Sequence, residues 1–247
     1  MDKEWFQDQE FWEEYRSVLF HEHRLQTTPQ QVKRLIDLLE IKKGDKVLDL
    51  CCGIGRHSLG FASKGYDVTG VDISEYYIQE AKGKASNAGL SVEFVQEDMR
   101  EFKREEQYDA AMIFFTSFGY FIDDEDNFKV LKNVYSSLKP GGTFLIDIMG
   151  KEVWARVFSE RDWARMENGF FLEERKVKGN WDLIDSNWIL IQDGGVHEHS
   201  FITKLYSAKE LRDMLKRAGF RFVDIYGDLE RSEYNEKSDR LIAVAHK

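Results

Sequence analysis

The chain has 247 residues, 42% of them hydrophobic and 32% charged, enough for one well-filled domain with an elaboration or for a domain and a small lobe. Its 45 acidic against 35 basic residues leave a net charge of −10, which disfavours nonspecific binding to nucleic acid or to an anionic membrane because no excess of cations neutralises phosphate. The N-terminus, Met1 to Phe6, lacks the basic and apolar regions of a secretion signal, and no apolar run reaches the length of a membrane span, so a cytoplasmic protein is expected.

Residues 1–43 read as an N-terminal helical cap. An aromatic piece around Trp5, Phe6, Phe11, Trp12 and Tyr15 is followed by Pro29, which opens a helix over residues 30–40 with apolar Val32, Leu35, Ile36 and Leu39. From Gly44 to Met149, strands near 46–51, 67–71, 92–95, 108–113 and 142–148 alternate with helices near 56–64, 75–88 and 124–138. That alternation predicts an α/β fold with a parallel, doubly wound sheet and right-handed crossovers. Residues 150–206 change to strand-like runs separated by Asn168-Gly169, Gly179-Asn180 and Asp193-Gly194-Gly195, which are hairpin turns, so an antiparallel β insertion covering the substrate side is expected. Ser207 caps a last helix with Glu210 at the capping-box position, Gly219 ends it, and Phe220 to Tyr226 and Leu241 to Ala245 supply two final strands. The core is therefore expected over 44–149 and 207–247.

Within the core, Val47-Leu-Asp-Leu-Cys-Cys-Gly-Ile-Gly-Arg-His-Ser58 combines a strand, a sharp glycine turn and a helix start whose free N–H groups face whatever lies over the turn. Asp72 closes the next strand about 20 residues after the first glycine, where an acid can accept both hydroxyl hydrogens of a ribose. A dinucleotide-binding oxidoreductase shares those features, but its third glycine position is Ser58 here. The block instead resembles motif I of the class I S-adenosylmethionine-dependent methyltransferases, matched by Asp49, Cys51, Gly53 and Gly55. Three further segments fit that family in order: Val92 to Met99, Tyr108 to Tyr120, and Leu138 to Asp147.

The resemblance implies a seven-stranded sheet whose final strand is antiparallel, and S-adenosyl-L-methionine as cofactor. It also implies that Cys51, Gly53 and Gly55 approach the amino-acid part of that cofactor, that Asp72 binds the ribose and that Ile73 packs on the adenine. Asp98 would accept from the adenine amino group, Met99 would lend a backbone N–H, and Phe115 would line the methionine chain. Asp72 and Asp98 have a plainer alternative as caps of the segments that follow. Asp49, a carboxylate inside a buried strand, needs partners and either supports the glycine loop or meets the cofactor ammonium.

The loop Phe114 to Phe121 offers Thr116, Ser117 and Tyr120 beside aromatic walls, and its Ser-Phe-Gly-Tyr stretch looks like that of small-molecule N-methyltransferases acting on amino sugars or glycine and sarcosine. The Asn/Asp-Pro-Pro-Tyr/Phe motif of many base methyltransferases is absent. Tyr15 and Arg24 are expected to fold over the cofactor, with Arg24 as a carboxylate partner. Thr116, Tyr120, Trp154, His199 and Tyr206 are substrate-chamber candidates, alongside Trp181, Trp188, His197 and Arg231; Tyr120 and His57 are the catalytic candidates. A solvent-facing Arg56 and a packed His57 form the bland alternative at the helix start. His197 and His199 share a strand face with no carboxylates or thiols pinned near them, and the adjacent pair Cys51 and Cys52 forms neither a disulfide framework nor a metal motif, so no metal is expected.

The function so read is methyl transfer to an oxygen or nitrogen of a small molecule. The alternatives are a tRNA or protein acceptor and a noncatalytic cofactor-binding module. A homodimer paired through the insertion is a further expectation, because long hairpins leave edges that a second copy can cover.

Overall fold

The computed structural model describes residues 4–247. A 3-10 turn, Trp5–Gln7, opens an N-terminal segment of four helices: α1 Gln9–Glu14, α2 Arg16–Leu19, α3 Glu22–Gln26 and α4 Thr28–Leu39. Two helical patterns in the sequence become four short pieces and one long one. Tyr15 and Phe20 leave helical geometry, and so break the register between α1, α2 and α3.

The main sheet uses β1 Lys46–Leu50, β2 Asp67–Asp72, β3 Glu93–Gln96, β4 Tyr108–Ile113, β5 Leu138–Ile148, β10 Phe222–Tyr226 and β11 Leu241–His246. Their order is β10-β11-β5-β4-β1-β2-β3, with β11 antiparallel to both neighbours and the strands from β5 to β3 parallel. Helices α5 Arg56–Ser63, α6 Glu75–Ala88, α7 Asp124–Ser137 and α9 Ala208–Ala218 connect them. The central strands are buried along nearly their whole length, as doubly covered parallel strands must be. Strand order reverses between β1 and β4, and ligands of such sheets lie outside the carboxyl ends at that point.

The second sheet, order β6-β7-β8-β9, is antiparallel and comprises β6 Arg161–Met166, β7 Gly169–Lys178, β8 Leu183–Gln192 and β9 Gly195–Lys204. Two of its surroundings differ from the sequence expectation. Lys151–Val157 is a helix, α8, rather than part of a strand run, with Val153 buried and Gly150 at its N-cap. β6 carries five exposed residues of six and so shows no alternation; it becomes a strand only because β7 supplies a ladder partner. The capping box at Ser207 forms as its spacing predicts. Among the described residues, no helix is long and apolar enough to cross a membrane.

Candidate functional site

A cavity roofed by the N-terminal segment opens at the carboxyl ends of β1, β2 and β4. Its floor begins where β1 stops: Cys51 (φ +65°), Gly53 (+55°) and Gly55 (+73°) take left-handed backbone, which reverses the chain into α5. A Cβ on Gly53 would lie 2.7 Å from the Phe20 ring, so only glycine lets the roof close over the turn.

Asp72 ties the turn to the second strand. One carboxylate oxygen accepts from the Gly53 N–H at 2.8 Å and the other from the Ser74 N–H at 2.9 Å. Each oxygen keeps a lone pair free for a ligand. Burial pushes its pKa up to about 6 against the opposing pull of those N–H groups. Asp49, only 2% exposed, accepts from the Ser58 hydroxyl at 2.5 Å, and burial likewise raises it to about 6. Asp98 is arranged differently. Arg100 donates to one of its oxygens through Nη2 at 2.7 Å, and its backbone N–H donates to the other at 2.8 Å.

The opposite wall comes from the end of β4. Phe115 (φ +61°) and Thr116 (φ +58°) are consecutive left-handed residues that are not glycine, each costing roughly 1–3 kcal/mol unless the surroundings hold it. Asp147 and Arg240 hold them. The Phe115 N–H donates to the Asp147 carboxylate at 3.0 Å and the Thr116 N–H to the Asp147 carbonyl at 2.9 Å. Arg240 bridges Asp147 at 2.7 Å and the Thr116 hydroxyl at 2.8 Å.

Around the Phe115 ring, the guanidinium carbons of Arg24 and Arg56 stand 4.5 and 4.6 Å from its centroid. Among the described residues neither arginine forms an ion pair: Arg24 donates to the Leu19 carbonyl, and Arg56 to Thr28 and Gln31. Burial lowers Arg24, and burial with the neighbouring Arg24 charge lowers Arg56 to about 10. Two cations lining a cavity with no ion pair of their own suit an anionic group. His57 is buried, Nε2 lying 3.1 Å from Gln31 Oε1; burial and Arg56 hold its pKa well below the usual value, so it is neutral at pH 7. Burial raises the Tyr120 hydroxyl, keeping it a protonated donor.

The roof is the N-terminal segment, through Trp12, Leu19, Phe20 and Arg24. The Tyr77 hydroxyl donates to the Trp12 carbonyl at 2.6 Å, and Arg16 makes a two-pronged pair with Glu80. On the other side the Tyr15 hydroxyl donates to the Trp188 carbonyl at 2.7 Å.

A family model described as a methyltransferase domain matches residues 47–142, the segment that builds the floor and β4 wall. The Bacillus subtilis protein YqeM, which carries a methyltransferase designation, is 30% identical over 208 residues, covering 82% of this chain and 84% of its own. The chain belongs to the class I S-adenosylmethionine-dependent methyltransferases. A glycine/sarcosine N-methyltransferase of Aphanothece halophytica is 24% identical over 206 residues, covering 82% of this chain and 76% of its own. In fold, the methyltransferase is similar to an S-adenosylmethionine-dependent methyltransferase from Clostridium acetobutylicum, at a TM-score of 0.80 and 18% identity over 96% of this chain and 97% of that one.

The methyltransferase's cavity brings together Arg24, Cys51, Gly53, His57, Asp72, Ile73, Asp98, Met99, Phe115 and Tyr120. Six residues expected there lie elsewhere, each for a visible reason. Tyr15 turns its hydroxyl to the second sheet, where it spans the carbonyls of Trp188 and His197. Gly55 abuts Phe94 and Ala81 and serves the turn rather than the lining. The Thr116 hydroxyl is taken by Arg240. Trp154, on α8, lies beneath the Arg175 guanidinium, 5.5 Å from its ring. His199 and His197 both face Glu14 of α1, so they pin the N-terminal segment. Tyr206 packs against Phe118 and donates to Asp124 at 3.0 Å.

Of the other chamber candidates, Trp181 packs on Phe158, Trp188 on Phe11 and Tyr15, and Arg231 reaches the Asp37 carbonyl. Sequence reasoning missed Leu19, Phe20 and Tyr77 in the lining, and Arg240 behind it. Phe20 and Tyr77 carry a signal in hindsight, being aromatic beside short helix breaks and strand ends. Arg240 sits in a polar stretch that carries none.

Proposed function

We propose that the enzyme moves a methyl group onto a nitrogen or oxygen of a small molecule held between the Phe115–Tyr120 wall and the N-terminal roof. The observation that carries this reading is the enclosure itself. A nucleoside-suited end, with Asp72, Ile73, Asp98 and Met99, and a polar-aromatic end, with Arg24, His57, Phe115 and Tyr120, share one roofed cavity. The similarity to a glycine/sarcosine N-methyltransferase supports a small amine among the acceptors.

S-adenosylmethionine supplies a methyl carbon already bonded to a sulfonium leaving group. The chain's residues therefore chiefly position and desolvate. Asp72 accepts the ribose hydroxyls on its free lone pairs, while Ile73 and Met99 flank the adenine. Asp98, clamped by Arg100 through the backbone N–H, Nε and Nη2, is oriented as the acceptor for the adenine amine. Gly53 admits the amino-acid part of the cofactor, with Cys51 beside it. Arg24, assisted by Arg56, takes the carboxylate. Tyr120 remains protonated and donates to the acceptor, and neutral His57 is a weak base suited to an acceptor that arrives already deprotonated. Free thiols at Cys51 and Cys52 suit a reducing compartment, which favours the cytoplasm.

Titration calorimetry with S-adenosylhomocysteine tests the cofactor end. Asp72→Asn removes two charge-assisted hydrogen bonds, about 3 kcal/mol, and is expected to weaken binding roughly 100-fold; unchanged affinity would sink the assignment. Labelled methyl donor with a metabolite panel tests the acceptor. Label in a small amine or alcohol is expected, and label found only in tRNA or protein would refute the small-molecule reading.

A further inference from the structure

The second sheet has one face against the N-terminal segment, through Tyr15 and its neighbours, and one face open. On the open face, Phe170, Ile191 and Val196 stand on one rung of three adjacent strands, Phe170 pairing with Ile191 and Ile191 with Val196. Trp163, 65% exposed, lies two residues along β6 from the same rung, with its ring 6.1 Å from that of Phe170. Val196 is 64% exposed, and Phe170 and Ile191 are 37% exposed each. Side chains alternate faces along a strand, so these four form one apolar stripe crossing the whole sheet. Such a stripe marks an association surface.

We propose that a second copy of this chain covers the stripe, the two sheets packing face to face about a two-fold axis that runs along the strands. That axis lays β6 of one copy over β9 of the other. Arg165, exposed on the rung of Val196, then approaches Glu198, which is exposed one rung further along β9. The reverse axis, across the strands, sets β9 on β9 and β6 on β6, which leaves Arg165 and Glu198 at opposite sides of the interface. An isologous pairing along the strands is therefore favoured by charge.

The area is sufficient. Four strands about 4.8 Å apart, with up to ten residues rising about 3.4 Å each, offer a face of roughly 650 Å², and two such faces bury roughly 1,300 Å², within the range of specific dimers. Packed sheets sit about 10 Å apart, a gap that Trp163 and Phe170 fill from both sides.

Sedimentation velocity of the full chain at tens of micromolar checks this. The expected species has twice the 29.0 kDa chain mass. The double variant Trp163→Glu, Val196→Glu is expected to sediment as a monomer while binding S-adenosylhomocysteine like the parent protein, which shows that it is folded. A parent protein that stays monomeric overturns the proposal, as does a dimer that survives both substitutions.

Discussion

Asp49 and Asp72 carry the energetic cost of the site. Their folded pKa of about 6 lies above the ordinary 3.8, so between those values the native state binds more protons than the unfolded chain. Stability from these acids is therefore greatest below about pH 4 and falls as pH rises to about 6, beyond which both are ionised at a standing cost. Asp49→Asn keeps an acceptor for Ser58 and removes one buried charge. It is expected to raise the stability of the ligand-free enzyme at pH 7.5 by on the order of 2 kcal/mol, read from the denaturant midpoint, and to bring less gain at pH 4.5. A loss of stability at pH 7.5 would contradict this. In the proposed function, ionised Asp72 is the form that accepts ribose hydroxyls, so there the charge that weakens the fold serves the ligand. Asp72 was legible in sequence because a strand-ending acid at a fixed distance from a glycine turn ends up beside that turn. Arg240 was not: it acts by reaching Asp147, 93 positions earlier, and such a pairing exists only after β11 docks on β5.

At the scale of elements, the N-terminal segment decides how closed the site is. Its short helices are tied to α6 through Tyr77 and Glu80 and to β9 through Glu14, and they press the Phe20 ring onto Gly53. Phe20→Ala opens that wall. The expected result is dissociation of S-adenosylhomocysteine at least about tenfold faster, by stopped flow, since roughly 1.4 kcal/mol of covering contact is lost; an unchanged off-rate would show that the segment does not shield the bound nucleoside. The strands and helices from β1 to β5 were readable because doubly covered parallel strands appear as short continuous apolar runs and amphipathic helices impose a period of 3.6 on the apolar residues. α8 and β6 were not. One is a single short helix, and the other has no buried face to imprint a pattern.

For the whole molecule, a net charge of −10 and a roofed cavity both argue against a large polyanionic acceptor. Binding to tRNA draws most of its strength from phosphate neutralisation. No mobility shift with bulk tRNA is therefore expected at physiological salt, and a salt-sensitive shift would reopen the RNA reading. By itself the sequence determined the parallel sheet, the glycine turn, the acid after β2 and the methyl-donor class, because each is set by local periodicity or by short spacing along the chain. Only the tertiary structure decided which aromatic and basic residues line the cavity. It turned Tyr15, His199 and Tyr206 to structural partners and brought Phe20, Tyr77 and the Asp147–Arg240 brace to the site. Those assignments depend on how the N-terminal segment and second sheet pack on the core, and apolar composition alone leaves that packing open, since an aromatic side chain buries equally well in a wall, a roof or a hinge.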